Sequence, residues 1–231
     1  MAIAWRSEDY VHLEEIVARI ETSLEERKPF SLVRVGDAEN IVLAQEAVFS
    51  LGWIAEHVGW SHSPHYTGVV LPNLAIRDRM VEALKQADLV GVFVDDELTR
   101  EIFAAHGIQP KAICYAFQNL YMPMYKPFVD LLRRVPPLLV GRPAERFAAF
   151  LREKIGVVVP GTVGIDSSAD LDDCLAQMAR IPHRWSLVSA GSNVVIIAAA
   201  MARDWGRVSI DFGHAPDNAM HPNEHFWLNT D

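Results

Sequence analysis

Short apolar runs alternate with helix-length amphipathic stretches along almost the whole chain, and no other feature limits the possible folds so sharply. Residues 30–35, 89–94, 112–115, 138–141, 155–159, 186–189 and 208–211 are rich in Val, Ile, Leu or small residues and read as strands. Between them, residues 40–47, 74–86, 98–106, 144–154, 170–179 and 192–202 have helical composition or spacing. Strands apolar on both faces and separated by helices of about ten residues predict a mostly parallel sheet covered by helices on both sides. The expected fold is α/β and Rossmann-like, in a single domain spanning residues 1–231. Residues 1–28 place Ile3, Val11, Leu13, Ile16, Val17, Ile20 and Leu24 among Glu and Arg, which predicts an amphipathic opening helix ended by Pro29. Residues 49–72 turn to Gly, Trp, His, Ser and Pro without a sustained period and predict an irregular loop or lid.

Composition then removes several classes of function. Thirty acidic residues against 21 Lys and Arg give a net charge of −9, which opposes the broad basic surface that nucleic-acid binding requires. A small anion is still accommodated, because helix N-termini and one or two arginines can hold a diphosphate locally. Cys114 and Cys174 fit no metal or redox spacing and are expected as reduced thiols. The most apolar tract, residues 194–202, falls short of the roughly 20 residues that span a bilayer, and the N-terminus has no signal pattern. The expectation is a cytoplasmic protein without a transmembrane segment, compatible with assembly into a homo-oligomer.

Open parallel sheets bind ligands at the carboxyl ends of their strands, so the residues following each strand are the candidates for chemistry. After the first strand comes Arg34-Val35-Gly36-Asp37-Ala38-Glu39-Asn40, in which a glycine turn presents two carboxylates two positions apart. Such a pair can face one Mg²⁺ or Mn²⁺ whose open positions take diphosphate oxygens. The alternative is that Asp37 caps the helix that follows, with Glu39 favoured by the helix dipole. Ser189-Ala190-Gly191-Ser192-Asn193 runs through small residues into a helix and suits a phosphate, or else serves close helix–strand packing at Gly191. Asp211 and His214 stand at the end of the last strand, where they can bind a sugar hydroxyl or move a proton, or be a buried Asp and a surface His. In the irregular loop, His57, His62 and His65 with Trp53, Trp60 and Tyr66 offer a metal cluster or an aromatic lid, or ordinary packing. Asp95-Asp96-Glu97 reads as a helix cap. No P-loop occurs, and the acids after Gly36 occupy the place where a dinucleotide fold needs small residues.

Arg34-Val35-Gly36-Asp37-Ala38-Glu39, with the Gly191 turn and Ile210-Asp211-Phe212-Gly213-His214 near the other end, resembles the GT-D-type glycosyltransferases, a Rossmann-like family with an Asp-x-Glu motif. The resemblance implies transfer of a sugar from a UDP-sugar, such as UDP-glucose, to a hydroxyl of a glycan or glycoprotein, in bacterial surface-glycan assembly. It implies Mn²⁺ or Mg²⁺ on Asp37 and Glu39, with Arg34 orienting that pair or neutralising phosphate charge and Gly36 permitting the close turn. Gly191, Ser192 and Asn193 then face the nucleotide-sugar, and Asp211 and His214 lie near the donor sugar or acceptor. His214, Asp211 and Glu39 remain equal candidates for the base, and retention or inversion stays open. The other readings are a non-catalytic nucleotide- or sugar-binding module and another nucleotide-dependent enzyme.

Overall fold

A computed structural model describes residues 5–221. Seven strands, β1 (Phe30–Arg34), β2 (Leu89–Val92), β3 (Ile113–Tyr115), β4 (Leu138–Gly141), β5 (Thr162–Val163), β6 (Trp185–Ser189) and β7 (Val208–Asp211), form one sheet. Their order is β3-β2-β1-β7-β6-β4-β5, and every pairing is parallel. The first and last strands are therefore neighbours, with Phe30 opposite Val208 and Leu32 opposite Ile210. Because successive side chains point to opposite faces, Leu32, Leu139 and Leu187 enter one core while Val33, Val140 and Val188 enter the other. The expected two-faced α/β sheet is thus the observed one.

One face is covered by α1 (Leu13–Glu26), α8 (Lys126–Arg134), α9 (Ala144–Ile155) and α12 (Ala215–Met220). The other is covered by α2 (Asp37–Ala44), α5 (Leu74–Gln86), α6 (Glu97–His106), α10 (Leu171–Arg180) and α11 (Val194–Trp205). Val194 through Ala202 are all buried, as a helix that is apolar on every side must be. Short helices α3 (Leu51–His57), α4 (Pro64–Thr67) and α7 (Gln118–Tyr121) sit in the connections. No helix among the described residues is long and apolar enough to cross a membrane. Both cysteines are free and buried, and burial pushes each thiol up to about 12.

Three local expectations change. The opening helix begins at Leu13 after a 3-10 turn at Ser7–Asp9, and residues 1–4 of the expected span lie outside the described residues. Residues 49–72 hold two helices, each begun by a serine whose hydroxyl accepts from the backbone: Ser50 from Trp53 and Ser63 from His65. The strand expected at residues 155–159 is absent. Helix α9 runs through Ile155, Gly156 closes it in the left-handed conformation at φ 70°, and the fifth strand forms later, at Thr162–Val163.

Candidate functional site

The carboxyl ends of the strands open into a cleft of about 330 Å³. Arg34 lines it at the end of β1, Asp37 and Glu39 after β1, Phe93 after β2, Phe117 after β3 and Arg142 after β4. Asp166 follows β5, Ser189 to Ser192 come from the end of β6, and Gly213 and His214 follow β7. Sequence-distant groups meet here because a parallel sheet gathers every carboxyl end on one edge.

At the centre of this edge, Gly36 is the N-cap of α2 and Glu39 is its third residue. Glu39 Oε2 accepts the Gly36 backbone N–H at 3.0 Å, and its Oε1 accepts the Ser192 hydroxyl at 2.8 Å. The helix start is thus capped by Glu39 and not by Asp37, which is exposed in the first turn. No hydrogen bond or ion pair from the described residues engages the Asp37 carboxylate. No set of three His, Cys, Asp or Glu residues able to hold a metal ion occurs among the described residues. Asp37, without a partner among the described residues, and Glu39 are the pair that would hold Mg²⁺ or Mn²⁺, ions that keep waters and take diphosphate oxygens, and they make no all-protein cage.

Arg34 crosses the floor of the site. Its Nη2 donates to Asp211 Oδ1 at 2.9 Å and its Nη1 to the Ala116 carbonyl at 3.1 Å. Two glycines make room for it: a Cβ at Gly213 would lie 2.1 Å from Arg34 Nη2, and one at Gly91 2.9 Å from Arg34 Cγ. Asp211 is 1% exposed and does not line the cleft. Burial pushes its carboxyl up to about 6, opposed by the Arg34 charge and hydrogen bond and reinforced by the negative Glu39. Asp211, expected near the donor sugar or acceptor, has its carboxylate on Arg34 and outside the cleft lining.

The Gly191 turn lines the cleft and also packs closely against a loop. Gly191 adopts φ 56°, and a Cβ there would lie 2.3 Å from the Thr67 carbonyl oxygen. The missing side chain admits the backbone of the 64–68 segment and is explained without a nucleotide. Asn193, expected at the nucleotide-sugar, is 1% exposed, and its Nδ2 donates to the Gly68 carbonyl at 3.2 Å. Ser192 is buried with its hydroxyl on Glu39. His214 is at the cleft mouth, its side chain 83% exposed and its Nδ1 3.7 Å from Asp217 Oδ2.

Sequence reading missed Arg142, the residue immediately after β4. Its Nη1 donates to the His65 carbonyl at 2.7 Å, and its Nη2 donates to those of Pro64 at 3.0 Å and Asp166 at 2.5 Å. With Asn193 and the Ser168 N–H on Gly68, it fixes the 64–68 segment as one wall of the cleft. Phe93 and Phe117, edge to face at 4.9 Å, line the opposite end. His57 stacks on Trp53 at 4.6 Å, and the three loop histidines form no metal cluster among the described residues. Asp96 caps α6 as expected, accepting from the Leu98 and Thr99 N–H groups.

A cleft on the carboxyl edge of an all-parallel sheet, entered by an acid-bearing turn after the first strand, defines the class as an α/β protein that binds its ligand at the strand ends. The GT-D fold-like domain model matches residues 11–219, and the chain belongs to that family. Three solved structures are similar in fold. A selenomethionine-substituted domain of unknown function 1792 superposes with TM-score 0.57 at 13% identity, over 90% of this chain and 79% of that one. A highly conserved domain of unknown function 1792 with a distinct glycosyltransferase fold gives 0.56 at 14%, over 90% and 79%. A new glycosyltransferase with this domain, from Streptococcus sanguinis, gives 0.54 at 13%, over 87% and 80%. No curated protein sequence matches the chain.

Proposed function

We propose that this glycosyltransferase moves a sugar from a UDP-sugar to a hydroxyl of a glycan or glycoprotein, with Mn²⁺ or Mg²⁺ bound, in the bacterial cytoplasm. The observation that carries the reading is the Asp37 carboxylate, without a partner among the described residues, beside the doubly held Glu39 at the start of α2, in the cleft that Arg34 also lines. The uridine nucleotide is the expectation that goes with the family resemblance. Asp37 and Glu39 are the residues that would hold the cation, and Ser192 and the Gly36 N–H fix how Glu39 presents its oxygens. When bound, the cation neutralises charge that gathers on the departing diphosphate. Arg34, immobilised before substrate arrives, presents its guanidinium charge to diphosphate oxygens in the cleft it lines without reorganising.

Of the three candidate bases, Glu39 is committed to two hydrogen bonds and Asp211 is shielded by Arg34. His214 stands at the mouth, open to an incoming hydroxyl, and takes its proton. Titration calorimetry of UDP with and without Mn²⁺, paired with assays of UDP-sugar hydrolysis and transfer, tests these roles. Asp37→Asn is expected to weaken cation-dependent UDP affinity about ten- to a hundredfold with an unchanged melting temperature, because Asp37 does not cap the helix. His214→Ala is expected to lower turnover about a hundredfold while UDP affinity holds. UDP binding that ignores the cation, or no UDP binding at all, overturns the reading. Tight UDP binding with neither hydrolysis nor transfer points to a binding module.

A further inference from the structure

Arg34 carries a positive charge on the floor of a cleft that also contains Asp37 and Glu39. Arg34 is held by a carboxylate that does not line the cleft. Asp211, 2% exposed along its side chain, takes Nη2 at 2.9 Å, and the Ala116 carbonyl takes Nη1. The surrounding backbone is shaped for this arrangement. Gly91, opposite Arg34 in the β1–β2 register, gives the aliphatic stem its space, and Gly213 gives Nη2 its space at φ 48°. Glu39 is meanwhile held by Ser192 and Gly36, so the arginine and the glutamate each have a separate partner.

We infer that Asp211 is a positioning residue: it holds Arg34 ready for the diphosphate and away from Asp37 and Glu39, and it takes no proton from the acceptor. The inference rests on the proposed function, because it assigns how one residue of that same site is kept in place. Its structural content is an ion pair joining the carboxyl ends of the first and last strands, with the substrate-facing member on β1 and the buried member on β7.

A double-mutant cycle separates this role from direct catalysis. Asp211→Asn, Arg34→Ala and the double variant are compared for UDP-sugar hydrolysis, UDP affinity in Mn²⁺ and melting temperature, with rates taken well below each melting point. Asp211→Asn is expected to lower kcat about ten- to a hundredfold. In the Arg34→Ala background the same substitution is expected to change kcat by less than about twofold, because the group it acts through is gone. A further loss of about tenfold in that background overturns the inference and places Asp211 on the substrate. Arg34→Ala leaves a buried carboxylate uncompensated, so Gly213→Ala supplies an independent arm: its Cβ displaces Nη2 and leaves both charges in place. A folded Gly213→Ala protein should reproduce the kcat loss, and unchanged kcat counts against the inference. A wild-type protein that neither binds UDP nor hydrolyses a UDP-sugar removes both readings. An active wild type with an additive cycle removes only this one.

Discussion

At Gly191 a conformational requirement and a steric one coincide, since φ 56° disfavours any side chain and the Thr67 carbonyl occupies the place of a Cβ. Gly191→Ala should therefore cost about 1–3 kcal/mol from the backbone conformation, with further loss as the 64–68 segment is pushed off. Chemical denaturation should show the lowered stability, and amides of residues 65–68 should exchange faster. An alanine variant of wild-type stability would refute the packing account. Asp37, Glu39 and Arg34 were legible in the sequence because short-range spacing after a strand places them, and the acid-bearing turn is local. The work of Asp211 and Asn193 was not legible, because their partners, Arg34 and the Gly68 carbonyl, are brought close only by the sheet and by a docked loop. Arg142 was within reach, since inspecting the position after every strand finds it directly behind Gly141.

Helix α10 is terminated through a group from far along the chain, as Arg207 donates to the carbonyls of Met178 at 3.0 Å and Ala179 at 3.2 Å. Beside it, His183 is held neutral: its Nδ1 lies 2.8 Å from the Ile181 carbonyl, and Arg207 Nη1 is 3.2 Å from Nε2. Burial, aided by the Arg207 charge, pushes the ring down to about 4. The unfolded chain protonates near the ordinary value of 6.5, so between the two values it binds more protons than the folded one and acid favours unfolding. Stability from this site is complete above pH 6.5 and falls away toward pH 4. Replacing the ring with a neutral amide, His183→Gln, should flatten that part of the melting temperature against pH, and an unchanged slope would place the acid sensitivity elsewhere. At this scale, the apolar run at residues 155–159 misled because helix, left-handed cap and exit share one composition. Val157 is buried whereas Val158 is 69% exposed, and the strand that does form has only two residues. Serine caps at Ser50 and Ser63 were visible signals of helices in the supposed loop.

Across the whole molecule, the cleft has a wall built from the 64–68 segment, and Arg142 is its main tie. Arg142→Ala should leave the sheet folded, speed hydrogen exchange in residues 65–68, and raise KM for the donor more than it lowers kcat, as expected when a wall loosens and the reacting groups stay put. Equal exchange in both proteins would show that Asn193, Ser168 and the packing at Gly191 hold the wall without it. The alternation of strands and helices made the layer order legible before any side chain was placed. The adjacency of β1 and β7 was not legible, because nothing local to residues 30–34 names residues 208–211 as neighbours. That adjacency bears on how the molecule is made. On the ribosome, Arg34, Asp37 and Glu39 emerge long before Ser192 and Asp211, so a growing chain has its acidic turn exposed with its two anchors still unsynthesised. Arg34 and Glu39 therefore gain their side-chain partners only once β6 and β7 have been made, with β7 slotted between β1 and β6.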